Sequence, residues 1–79
     1  MAIRTAAYDP AVAQPHREFL GALRAEGMLQ ESGPFTDGTG GAYIVLADSR
    51  AAAEARVFTD PLHTSGSCEL TVHEWEITG

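Results

Sequence analysis

The order of elements legible in the sequence is β-α-β-β-α-β, which predicts an α+β fold of the ferredoxin-like type, with an antiparallel sheet and both helices on one face. Three observations carry that expectation. Two helix-period apolar stripes are each set between strand-like segments, and a Gly-rich turn in mid-chain joins two strands as a hairpin. The middle and last strands also hold large apolar residues on both faces. Two helices from one chain cover only one face of a sheet, so a second copy is expected on the other, as a homodimer closing a dimeric α+β barrel.

Each element has a local reason. Residues 2–8 suit a short strand that Asp9-Pro10 ends, with a weak helical turn over 10–13. A helix is expected to start at Gln14-Pro15, since a proline at the first helical position forfeits no hydrogen bond. His16, Phe19, Leu20 and Leu23 then fall at i, i+3, i+4 and i+7, one inward stripe with His16 in the first turn, and Gly27 suits the stop. Met28 to Phe35 reads as a strand whose late Gly33-Pro34 marks an edge or a bulge, because proline donates nothing to a ladder. Residues 36–41 (Thr-Asp-Gly-Thr-Gly-Gly) form the turn, and Ala42 to Ala47 the second hairpin strand. Asp48-Ser49 cap a helix whose stripe is Ala51, Ala52, Ala55 and Phe58, and Asp60-Pro61 terminates it. A loop over 62–67 leads to a last strand, Glu69 to Ile77, with Leu70 and Val72 on one face and His73, Trp75 and Ile77 on the other.

Composition narrows the function classes. Seventy-nine residues make a single domain over 1–79. A chain this short buries only about 60–65% of its unfolded surface, a marginal core that a partner subunit would complete. Cys68 is the only cysteine, which excludes an intrachain disulfide and any multi-cysteine metal site. The net charge of −6, with five scattered arginines and no lysine, argues against nucleic acid and anionic membranes as partners. Without lysine no internal Schiff base forms, so pyridoxal phosphate and imine catalysis are excluded. With no long apolar run and no basic-then-apolar start, a soluble, cytoplasmic setting is expected.

The candidate site is a histidine and a carboxylate. His16 at the top of a buried helix stripe and Asp37 in the hairpin turn are separated by one helix and one strand. A neutral imidazole within reach of a substrate is a general base near pH 7, and a neighbouring carboxylate fixes its tautomer. A lone histidine at a helix start is more often simply hydrogen-bonded, and Asp before Gly in a hairpin is more often turn chemistry. Ser32, Gly33 and Pro34 are expected beside a ligand. His73 and Trp75, two residues apart, line the cavity if their face points into the barrel and pack at a dimer contact otherwise. The three histidines show no metal-ligand spacing, so no metal site and no cofactor are expected. Residues 36–41 lack the Gly-Lys-Ser/Thr end of a phosphate loop.

Several motifs in order resemble the YCII-related (YciI-like) family: Pro15-His16-Arg17-x-Phe19-Leu20, then Gly27, then Ser32-Gly33-Pro34-Phe35-x-Asp37-Gly38-x-Gly40-Gly41, then Asp60-Pro61, a loop containing Gly66, and a final strand holding Trp75. The resemblance covers about residues 14–78. It implies a ferredoxin-like fold assembled as a dimeric α+β barrel and a cleft holding a His–Asp pair, to which His16 and Asp37 correspond here. The first strand and its connection to the histidine are shorter than is usual in that family. The expected function is a cofactor-free acid/base enzyme on a small molecule, of lyase, isomerase or cyclase type, with His16 as base and acid and Asp37 as its orienter. The competing expectations are a non-catalytic small-ligand-binding or assembly domain, and, by analogy of fold alone, a cofactor-free oxygenase of the barrel superfamily.

Overall fold

A computed structural model describes residues 1–76 of the chain. Four strands form one antiparallel sheet: β1 (Ala2–Arg4), β2 (Leu29–Pro34), β3 (Gly40–Val45) and β4 (Cys68–Leu70), in the order β2-β3-β1-β4. Between them lie α1 (Ala13–Ala25), α2 (Arg50–Val57) and a short α3 (Pro61–Thr64). With the first and third strands central and the split βαβ connections, this is the ferredoxin-like α+β arrangement expected from the sequence.

The outer boundaries differ from expectation, each for a local reason. The first strand ends at Arg4 rather than running to residue 8. Thr5 turns the chain there: its hydroxyl donates to the Gly66 carbonyl (2.7 Å) and accepts from the Ala7 N–H (3.1 Å). A 3₁₀ turn, Pro10–Val12, follows, its first turn capped by the Asp9 carboxylate on the Ala11 N–H (2.9 Å). Helix α1 starts at Ala13, ahead of the expected Gln14-Pro15, so Pro15 sits inside the first turn, where an N–H would have had no intrahelical partner. Its C-terminus is a Schellman motif: Gly27, at φ 75°, donates to Arg24 (3.0 Å) and Met28 to Leu23 (2.9 Å).

The hairpin pairs Tyr43 with Ser32 and Gly41 with Pro34, and β2 is an edge strand, which is why Pro34 is tolerated. Gly40 sits where β3 approaches β1 most closely. A Cβ there would lie 1.9 Å from the Ala2 carbonyl oxygen, so the pairing of these central strands requires glycine.

The last strand is the largest departure. Only Cys68–Leu70 is strand, whereas the sequence predicts 69–77. Its ladder partner is β1, with Leu70 opposite Ala2 and Cys68 opposite Arg4. The final rung joins Thr71 to Met1, through N–H to carbonyl and ammonium to carbonyl bonds of 2.9 Å each. Beyond that rung, residues 72–76 belong to no strand. Ile77 lies outside the described residues. The loop expected over 62–67 instead begins with α3. Asp60 does not merely end the preceding helix; it caps the next one.

The core is thin. Its main cluster is Ala2, Val12, Leu62, Cys68 and Leu70, with Tyr8 and Phe58 packed against it. Among the fully buried side chains of the described residues, Leu23 is the one large apolar group, and the others are Asp60 and Ser67. Register places Pro34, Gly41, Ala2 and Leu70 side by side across the sheet, on the face that carries this core. Helices α1 and α2 are neighbours: the Arg56 guanidinium pairs with Glu26 and lies 5.6 Å from the Phe19 ring centroid. On the opposite face and at its margins, Met1, Ile3, Leu46 and Trp75 are exposed.

Candidate active site

A buried aspartate is the first anomaly in this core, because a carboxylate out of water needs donors. Asp60 is 0% exposed, and three donors converge on it. The Leu62 N–H donates to Oδ1 (2.9 Å), closing the first turn of α3, for which Pro61 supplies a pre-set φ. The Tyr43 hydroxyl donates to Oδ2 (2.9 Å) from the central strand β3. His16 Nδ1 lies 3.0 Å from both oxygens, reaching in from the first turn of α1. Three separate elements therefore meet on one carboxylate.

The network assigns the histidine tautomer. With Asp60 as a carboxylate already accepting from Tyr43 and Leu62, Nδ1 carries the proton, and the neutral ring presents a lone pair at Nε2. Among the described residues Nε2 has no hydrogen-bond partner. The His16 side chain is 20% exposed where Asp60 is fully buried, so the ring bridges the interior and an opening. Tyr43 keeps its proton. Burial, reinforced by the neighbouring Asp60 charge and hydrogen bond, pushes its phenol well above the usual value, and it stays a donor. Its ring lies 5.9 Å from His16 and 6.4 Å, edge-on, from Phe19, which holds both in place.

His16 and Tyr43 open on a cavity of about 320 Å³ between α1 and the sheet, walled also by Arg4, Arg17, Leu20 and Leu62. That volume is at the lower end of the range for small-molecule sites. Ser32, Gly33 and Pro34 line it from β2, where the sequence places candidate ligand contacts. Cys68 lines it too, but burial raises its thiol above the ordinary value, the nearby Asp60 charge adding to this and Arg4 opposing it; the residue is a buried thiol rather than a nucleophile.

Two sequence expectations require correction. The carboxylate on His16 is Asp60, not Asp37. The Asp37 side chain is turned onto its own hairpin, accepting from the Thr39 hydroxyl (2.7 Å) and N–H (2.9 Å), bonds that hold its carboxyl below the usual range. It is an exposed Asx turn, the bland alternative for Asp before Gly. His73 and Trp75 do not line the His16 cavity. They border a second, broader depression of about 650 Å³, between the end of β3 and residues 70–76. Asp60 and Tyr43 were absent from the sequence-derived site. For Asp60 a signal existed, since Asp-Pro is an N-cap followed by proline at the first helical position. No cluster of three or more metal-ligating side chains occurs among the described residues.

Comparison with known proteins places this chain in a family. The profile of the YCII-related domain matches residues 3–76. The uncharacterized protein YjpA of Bacillus subtilis (strain 168) is 44% identical over 77 residues, covering 98% of this chain and 91% of that protein. No solved structure matches.

Proposed function

The chain belongs to the YCII-related family, and from the geometry of its cavity we propose that it is a cofactor-free acid/base enzyme acting on a small molecule, of lyase or isomerase type. One observation carries this reading: His16 Nδ1 is held 3.0 Å from a fully buried carboxylate, while the ring, with no hydrogen-bond partner at Nε2 among the described residues, lines a cavity of ligand size. That arrangement suits proton transfer. Nε2 takes a proton from carbon or oxygen of the bound molecule, Asp60 offsets the charge of the resulting imidazolium, and the proton returns at a second atom or to a leaving group. Tyr43 and the Leu62 N–H fix the Asp60 oxygens, so His16 has one orientation rather than several. Ser32, Gly33 and Pro34 form the strand wall against which the molecule lies.

The working unit we propose is a homodimer. The exposed Met1, Ile3, Leu46 and Trp75, together with the thin core, fit a sheet face covered by a second copy. His73 beside Trp75 then belongs to the assembly rather than to the chemistry. No described helix is long and apolar enough to cross a membrane.

The test is proton exchange in D₂O. A panel of small molecules with activated C–H groups is incubated with the protein, and deuterium incorporation is followed by NMR. Replacing His16 by Asn should reduce exchange by about 10²–10⁴-fold, the usual contribution of a general base. Exchange that survives in His16→Asn overturns the reading.

A further inference from the structure

The cavity is electrically unlike the rest of the molecule. The chain has eleven acidic residues against five arginines, yet among the described residues no Asp or Glu lines the wall around His16, the Asp60 carboxylate lying buried behind His16 and Tyr43 with its oxygens taken up by their donors, and two of the five arginines do. The others are placed elsewhere: Arg50 pairs with Glu54, Arg56 with Glu26, and Arg24 sits in the last turn of α1, where a cation suits the helix end. Arg4 and Arg17 have no carboxylate partner among the described residues. Arg4 lies with its guanidinium carbon 4.3 Å from the Tyr8 ring centroid, a stacking that orients the guanidinium and leaves its edge donors open. Arg17 gives one Nη2 hydrogen bond to Gln14 (2.8 Å), which steadies it and leaves its other donors open.

From this we infer that the cavity takes a small organic carboxylate, held by Arg4 and Arg17 at one end and presented to His16 Nε2 at the other. The inference rests on the acid/base reading of the same cavity and names its substrate class. A guanidinium is the side chain best matched to a carboxylate, through paired parallel N–H···O bonds. In an acidic protein a pair of unpaired cations at a concave, partly apolar wall focuses the field there and draws anions to it. Apart from Ser32 and the Tyr43 edge, the remaining wall, with Tyr8, Leu20, Pro34 and Leu62, is mostly apolar, so the anion carries a hydrocarbon body. The volume of about 320 Å³ matches roughly ten water molecules, which suits a single small ring or short chain. A carboxylate also serves the chemistry, because a clamped charge fixes which of the molecule's protons faces the base.

The probe is benzoate, with benzamide as its neutral isostere and inorganic phosphate as a bare anion, each titrated into the protein and followed by amide and side-chain NMR shifts. Benzoate should bind at least tenfold tighter than benzamide, moving the resonances of Arg4, Arg17 and His16, and phosphate should not displace it at equal concentration. Arg4→Gln and Arg17→Gln should each remove most of the preference for benzoate, whereas Arg24→Gln, a cation away from the cavity, should keep it. Equal binding of benzoate and benzamide, displacement by phosphate at equal concentration, or an undiminished preference in both cavity variants overturns the inference. His16→Asn separates the two claims. It should retain benzoate binding while losing exchange, so failure of the carboxylate clamp and failure of the base are read independently.

Discussion

Two aspartates divide this molecule into a part governed by tertiary structure and a part governed by local sequence. Asp60 is fully buried and takes its donors from α1, β3 and α3, at sequence separations of 44, 17 and 2 residues. Asp37 is exposed and takes both of its donors from Thr39, two residues on. Both carboxylates are satisfied, but only the first couples separate elements. The difference teaches where a fixed side-chain geometry is held in so small a fold. A side chain that must keep one orientation needs support from elements that cannot move independently.

The sharpest way to break this contrast is Asp60→Ala. It strands the Tyr43 hydroxyl, the His16 Nδ1–H and the Leu62 N–H at once. Each neutral donor left unsatisfied in the interior costs about 1–3 kcal/mol, so the three together take a large share of the stability of a domain this size. Urea unfolding should show that loss, and the proton exchange proposed for His16 should vanish. A variant with near wild-type stability and exchange would dissolve the distinction between the two aspartates. Gly40→Ala is expected to be comparably severe without touching the site. Its Cβ would collide with the Ala2 carbonyl at 1.9 Å, and β1 must then separate from β3. Thermal unfolding reads this directly; a stable Gly40→Ala protein would show that the central pairing tolerates a side chain.

Tyr43→Phe is milder, because the Asp60 carboxylate keeps two of its three donors. A loss of about 1–2 kcal/mol is expected in urea unfolding. The phenol also sets a pH dependence whose sign follows from its shift. Burial and Asp60 raise the folded-state value above the ordinary one, so the folded protein holds this proton more tightly than the unfolded chain. Its contribution is fully present below about pH 10, the unperturbed phenol value, and is lost progressively as pH climbs above it. Wild type should therefore lose stability more steeply in alkali than Tyr43→Phe, and parallel alkaline profiles would contradict the buried donor.

The same contrast explains what was legible in the sequence. His16 was, because its place on the stripe with Phe19, Leu20 and Leu23 is a matter of helical spacing. So were the β-α-β-β-α-β order, the hairpin, and Pro34 at an edge or a bulge, of which the edge is found, since each rests on local patterning. Asp37 attracted attention for a local reason, Asp before Gly in a turn, and its role proved to be equally local. Asp60 was harder to read. Its Asp-Pro step looks like the end of one helix, and whether it also starts another depends on a four-residue helix that periodicity cannot resolve. Its meeting with His16 spans 44 residues and has no spacing signature. Tyr43 was hidden in a strand apolar on both faces. The shortened β4 was unreadable for a related reason: Leu70 and Val72 on one face against His73 and Trp75 on the other suit a strand, but alternation within a segment does not say which of its residues find a ladder partner.

The smallest expected effect falls on the exposed aspartate. Asp37→Asn keeps an acceptor for the Thr39 N–H and hydroxyl, so the hairpin turn should persist. Exchange at His16 and any affinity for benzoate should be unchanged, and the urea midpoint should shift less than in Tyr43→Phe. What should disappear is an acid titration. The Thr39 hydrogen bonds depress the folded-state value of Asp37, so its contribution to stability is present above the ordinary carboxylate range and is lost as pH falls through the depressed value. Carbon-detected NMR of the side-chain carboxylates should find that titration in wild type and miss it in Asp37→Asn, with the Thr39 amide shift following it. If instead Asp37→Asn suppresses exchange as strongly as Asp60→Ala, the hairpin carboxylate reaches the reacting molecule, and the division between the tertiary and the local aspartate fails at the point where it matters most.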